Sequence, residues 1–111
     1  MHFLSDREPP IYLDYVLIND GARDVEFQGQ LLSYAYIYDN DLDTTELMRI
    51  FETRRGSMIC HKLLKTSVGA IQNQHALVSN DPEEIIGFFG LSAEAKSIYL
   101  SSGINANQVI E

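Results

Sequence analysis

The sequence predicts an all-α fold, a compact single-domain bundle of about five helices spanning 1–111, on the strength of three cap-and-stop signatures in its carboxyl-terminal two thirds. Asp43-Thr44-Thr45-Glu46 reads as a capping box, with the Asp43 carboxylate accepting from the Glu46 amide and the Glu46 side chain reaching back. Leu47, Ile50 and Phe51 follow at helical spacing, Arg54 and Arg55 suit the negative end of a helix dipole, and Gly56 can take a left-handed stop. Asp81-Pro82-Glu83-Glu84 repeats the logic: an N-cap, proline at the first helical position, acids in the first turn, then Ile85, Ile86, Phe88 and Phe89 and a stop at Gly90. Ser92 caps a third helix through Ala93, Glu94, Ala95 and Lys96, with Ile98 and Tyr99 as its buried stripe and Gly103 as its end.

From the amino terminus, Met1 to Pro10 has no basic start and no apolar core, so no secretory signal is expected there. Ile11 to Ile18 is rich in β-branched and aromatic residues, yet Ile11, Tyr15 and Ile18 also share a helical face. Asn19-Asp20-Gly21 fits either a hairpin turn or a helix stop. Leu32, Tyr34, Tyr36 and Tyr38 alternate as on a strand, while Leu31, Leu32, Ala35 and Tyr38 share a helical face. Helix is preferred throughout, because an isolated hairpin is weak; the alternative is an α+β fold with an N-terminal β-hairpin over residues 11–38. Ser57 to Ser79 reads as one broken or two short helices interrupted near Gly69.

Charge narrows the function classes. The chain carries sixteen acids against eight Lys and Arg, a formal charge of −8. Ten of those acids (Asp6, Glu8, Asp14, Asp20, Asp24, Glu26, Asp39, Asp41, Asp43 and Glu46) lie between Asp6 and Glu46 against only Arg7 and Arg23, so that stretch holds the whole imbalance. Such a field repels phosphate backbones and anionic membranes and speeds encounter with basic partners. Cys60 is the single cysteine, which removes intrachain disulfides and cysteine metal clusters and favours a reducing, cytoplasmic setting. The longest apolar runs are too short to span a bilayer.

No motif for chemistry is complete. In Asp39-Asn40-Asp41-Leu42-Asp43, neither calcium-loop register places both the glycine and the glutamate, so the segment reads as a capped helix entry. Cys60 and His61 adjoin, but neighbours on a helix point about 100° apart, and Cys60 reads as a small buried hydrophobe. His61 and His75 are read as surface or helix-end residues, too far apart for a two-histidine metal motif. No phosphate loop, dinucleotide fingerprint or serine elbow occurs. No catalytic residue, metal ligand or cofactor is therefore assigned.

What remains is a binding reading. Tyr36 and Tyr38 lead into Asp39, Asp41, Asp43 and Glu46, the densest concentration of aromatic and acidic residues, and these six are the candidate contact residues for a basic protein partner. The expected function is that of a small acidic cytoplasmic inhibitor or immunity protein that covers the active site of a basic nuclease toxin. A helix-turn-helix regulator built on the Gly90-Leu91-Ser92 turn is the first alternative, although its reading helix would carry one cation, Lys96. A small enzyme with a dispersed site is the second.

Overall fold

A computed structural model describes residues 11–110. The reading of Met1 to Pro10, and with it Asp6, Arg7 and Glu8, lies outside the described residues. The described residues form five antiparallel strands in simple meander order, followed by two helices. The strands are β1 (Leu13–Leu17), β2 (Val25–Asp39), β3 (Thr44–Thr53), β4 (Met58–Thr66) and β5 (Ile71–Val78), and the helices are α1 (Pro82–Phe89) and α2 (Ala93–Ser102). The expected all-α bundle is thereby overturned. Both carboxyl-terminal helices stand where their caps place them, whereas everything before them is sheet, including the hairpin over 11–38 that the alternative reading contained.

The reasons lie in the turns. At the predicted helix over Asp43 to Gly56, the stop signal Arg54-Arg55-Gly56 is instead a three-residue hairpin loop joining β3 to β4. The Gly56 amide donates to the Thr53 carbonyl at 2.9 Å, the Thr53 amide donates to the Ser57 carbonyl at 3.0 Å, and Gly56 has φ 85°. The β4–β5 loop repeats this arrangement one hairpin later. Gly69 (φ 86°) donates to the Thr66 carbonyl at 2.9 Å, and the Thr66 amide donates to the Ala70 carbonyl at 2.9 Å. In each loop the threonine Oγ1 also accepts the amide four residues on, from Ser57 at 3.1 Å and from Ala70 at 3.2 Å. A threonine three residues before a left-handed glycine thus builds both turns. Asp43 is the one non-glycine residue with positive φ, 51°, among the described residues, so it ends a β2–β3 turn rather than capping a helix.

The sheet curls into a half-barrel that nearly meets itself. Residues just past β1 reach β5: the Asp20 amide donates to the Gln74 carbonyl at 2.9 Å, the Gln74 amide to Asp20 Oδ2 at 2.8 Å, and the Ala76 amide to Asn19 Oδ1 at 3.1 Å. Every strand then contributes to one inner cluster, in which Leu17, Phe51 and Ile59 are buried with Tyr15, Val25, Phe27 and Ala76 against them. The rings of Tyr15, Phe27 and Phe51 stack and tilt at centroid distances of 4.6 to 5.3 Å. Gly29 belongs to this junction, since a Cβ there would lie 2.9 Å from both the Glu52 carbonyl oxygen and the Phe27 ring.

The outer face carries the helices. Met48, Ile50 and Cys60 pack with Ile85 and Phe89 of α1 and with Ala95, Ile98 and Tyr99 of α2. Polar contacts fix the helices in place. Ser33 Oγ donates to the Ile98 carbonyl at 3.2 Å and lies 2.6 Å from Ser102 Oγ, at the point where β2 shifts register between Leu31 and Ser33. Lys62 Nζ donates to the Phe88 carbonyl at 2.9 Å, placing a cation at the negative end of α1. Neither helix is long and apolar enough to cross a membrane.

Gly56→Ala and Gly69→Ala should each lower stability by about 1–2 kcal/mol, because an L side chain is strained in the left-handed region. Gly87→Ala, inside α1 with open space around its Cβ position, should instead raise it by about 0.5–1 kcal/mol. Urea midpoints of the three variants test this, and equal losses at all three sites would show that the turn backbone does not govern the hairpins.

Candidate functional site

Strand pairing divides the six candidate contact residues. Tyr36 lies opposite Leu47, and Tyr38 opposite Thr45, on the face that continues the inner cluster; both rings are more than half exposed. Glu46 pairs with Ile37 and Leu64 and therefore points to the outer face, away from the tyrosines. Asp39, Asp41 and Asp43 share the turn between β2 and β3. Asp39 Oδ1 accepts the amides of Asp41 and Leu42 at 2.9 and 3.1 Å, so this carboxylate shapes the turn rather than facing a partner. Tyr38 donates its hydroxyl to Asp43 Oδ1 at 2.8 Å. The Ser67 side chain first, and then this hydroxyl, hold the Asp43 carboxyl below its ordinary range, and the same hydrogen bond raises the Tyr38 phenol. Tyr38 and Asp43 are brought together by this bond and Asp39, Asp41 and Asp43 by their shared turn, while Tyr36 lies on the face of Tyr38 and Glu46 on the other.

The acids of the first half are likewise spread out. Asp20 and Asp24 sit in the β1–β2 loop, and Asp39 to Asp43 sit at the far end of β2, a strand of fifteen residues that spans at most about 45 Å of extended chain. Among the described residues these two groups lie at opposite ends of β2 and do not share one face.

A second feature of β2 was hidden in the sequence. β1 pairs with β2 only from Val25 to Gly29, whereas β3 pairs with it from Gly29 to Asp39. Beyond Gly29 the outer edge of β2 has no neighbouring strand among the described residues. Along it Tyr34, Tyr36 and Tyr38 are all more than half exposed, with Tyr34 and Tyr36 in an edge-to-face contact at 5.9 Å. Edges of this kind are normally blunted by Lys, Pro or a bulge. This one has its bulge at Leu31 to Ser33 and neither Lys nor Pro from Tyr34 to Asp39.

The histidine and cysteine expectations also change. On β4, Cys60 and His61 point to opposite faces of the sheet, not to different sides of a helix. Cys60 is fully buried in the outer core, as expected of it, and burial pushes its thiol up to about 12. His61 is not a surface residue: it is 1% exposed and paired across β3 with Arg49, whose Nη2 lies 3.0 Å from His61 Nδ1. Burial first, then the Arg49 cation, lower its pKa from the ordinary 6.5 to about 4, with the Gln74 side chain acting to a smaller extent in the opposite direction. His75 remains near the surface of β5, beside Glu46 and Lys62 on the outer face. Among the described residues no group of His, Cys, Asp and Glu is arranged to hold a metal ion.

Compared with known protein families, curated proteins and solved structures, the chain matches none.

Because the folded pKa of His61 lies below its unfolded value, the unfolded chain binds a proton first, and stability falls as pH drops from 6.5 towards 4. The loss should approach about 3 kcal/mol at the low end of that window. Chemical denaturation of wild type and His61→Gln between pH 7 and 4 measures it: wild type should lose that much more than the variant, and parallel curves would show that His61 takes up its proton freely in the folded state.

Proposed function

We propose that the protein is a non-catalytic binding protein that receives a basic, extended segment of a protein partner as an added strand along β2. The observation that carries this reading is the outer edge of β2 beyond Gly29, which has no neighbouring strand among the described residues and is lined by Tyr34, Tyr36 and Tyr38 before the acidic turn at Asp39 to Asp43. An open edge supplies backbone hydrogen bonds to any extended chain, and alternate side chains supply selectivity. Exposed tyrosines add stiff apolar area with a polar tip. Charge chooses the partner, since no cation occurs between Arg23 and Arg49 while six acids do. Inhibition is the use this suits: a nuclease toxin has a cationic cleft, and an acidic protein that binds a strand bordering it blocks access without chemistry of its own.

The helix-turn-helix alternative gains no support from α2, which turns Ala95, Ile98 and Tyr99 into the core and presents Lys96, Ser97 and Leu100 outward.

A ten-residue peptide alternating Lys and Val, with its Glu-Val counterpart as control, tests the reading by amide hydrogen exchange. The Lys-Val peptide should slow exchange at alternate amides between Gln30 and Asp39 and nowhere else in the sheet. Tyr36→Lys and Asp41→Asn should each weaken binding; Asp41 is the better acid to change, because Asp39 and Asp43 hold the turn. Protection elsewhere, or equal protection by the Glu-Val peptide, would sink the proposal.

A further inference from the structure

Bonds at the two hairpin loops set the direction of the backbone groups along the edge of β2. The Thr53 amide donates to the Ser57 carbonyl and the Thr66 amide to the Ala70 carbonyl, so Thr53 turns its backbone groups to β4 and Thr66 to β5. Successive residues of an antiparallel sheet bond to opposite sides. Counting back from Thr53, the residues of β3 that bond to β2 are Ile50, Met48, Glu46 and Thr44, and their partners Ser33, Ala35, Ile37 and Asp39 direct their N–H and C=O groups to β3. Tyr34, Tyr36 and Tyr38 therefore turn theirs to the outer edge, where no strand among the described residues meets them. The same three residues supply the exposed rings and the ladder groups for an added strand.

Charge is divided between the two faces beside that edge. The tyrosines lie on the inner face, where Tyr34 pairs with Arg49, and Lys65 lies opposite Thr45 one strand further in. Asp43 reaches the tyrosines only at their far end, where it already accepts the Tyr38 hydroxyl. The outer face carries Glu46 and Glu52 of β3, opposite Ile37 and Gln30, and Asp39 of β2 itself. Lys62, on that face, gives its Nζ to the Phe88 carbonyl. The carboxyl end of α2 lies on the same side, bonded to Ser33 and with no basic residue in its last turn, so its negative end also favours a cation.

We infer that the segment received along β2 alternates, with apolar or aromatic side chains on the inner, tyrosine-bearing face and basic side chains on the outer, helix-bearing face. The inference rests on the strand-addition reading and gives it a phase. An inward Lys or Arg meets the face that holds Arg49 and Lys65, whereas an inward Val, Leu or Phe lies against the rings of Tyr34 and Tyr36. Strands lie about 4.8 Å apart, so an outward Lys beside Ile37 is about 10 Å from Glu46 along the backbone layer, within the combined reach of the two side chains. Glu46, which faces away from the tyrosines, thus joins the contact from the other side of the added strand. A slip of one residue exchanges the faces and loses both matches.

Two ten-residue peptides of equal composition test the phase on the full-length ¹⁵N-labelled protein: one alternates Lys and Val, and the other has them in pairs, which mixes both residues on each face. The alternating peptide should protect the amides of Tyr34, Tyr36 and Tyr38 and place its Val methyls, not its Lys methylenes, in nuclear Overhauser contact with the Tyr34 and Tyr36 rings. It should bind about tenfold tighter than the paired peptide, and Glu46→Gln should weaken it about threefold. Protection of those three amides with Lys methylenes on the tyrosine rings, or equal affinity of the two peptides, overturns the inference and leaves strand addition standing. Protection by neither peptide removes strand addition itself, and the inference with it. The wild-type contacts decide the phase even if the Glu46 variant does not fold.

Discussion

The structure depends on the closure between the residues after β1 and strand β5. A five-stranded antiparallel meander has two free edges and no reason by itself to bury both faces. Here the two carbonyl- and carboxylate-mediated bonds between Asp20 and Gln74, with the Asn19 side chain on Ala76, draw the ends together. Asn19 is itself held, its amide donating to Asp24 Oδ1 and its side-chain nitrogen to the Arg23 carbonyl. The inner side chains thereby lose contact with water without a second layer above them. Leu17, Phe51 and Ile59 become a core, and His61, one step along β4 from Ile59 on the same face, is enclosed with them.

Closure at one end has a consequence at the other. β1 is five residues long and β2 fifteen, so β1 leaves the far half of β2 without a strand partner among the described residues. The outer layer compensates only in part. α2 is bonded to Ser33 where the register shifts, and from Tyr34 onward the edge has no neighbouring strand among the described residues. The exposed tyrosines follow from that mismatch in strand length, and the sequence shows their alternation without showing what lies beside them.

How much was legible turns on what each signal is local to. Asp81 with Pro82, and Ser92 with Gly103, mark α1 and α2 correctly because a cap is satisfied within its own turn: Asp81 accepts from Glu83 and Ser92 from Ala95. Asp43 to Glu46 offered the same letters, but Thr44 and Thr45 favour strand, and the following apolar residues serve both faces of a sheet. Two fully used faces erase the period of two. Ile50 packs outward under the helices and Phe51 inward, and the adjacent pair mimicked a helical stripe. The usable clue was the recurrence of threonine three residues before glycine at Thr53 and Thr66, a hairpin signature that one reading as helix stops conceals. The tyrosine and acidic segment was legible as a cluster in the chain, but strand alternation, which sends Glu46 to the opposite face from Tyr36, was not.

His61 and Arg49 show where the local rules and the fold part company. On either side of them along the inner face the cross-strand pairs are apolar, Phe51 with Ile59 and Leu47 with Leu63. An apolar pair at the middle position would continue that pattern and avoid the cost of desolvating a guanidinium and an imidazole. Hydrogen bonding offsets that cost only in part, because beyond the one bond between them His61 has just the minor help of the Gln74 side chain and Arg49 Nε has no acceptor among the described residues. Charge balance does not offset it, since among the described residues no carboxylate acts on either group. A polar pair at the centre of an otherwise apolar face is where the local pattern and the fold disagree, and such departures concentrate at positions kept for something other than stability.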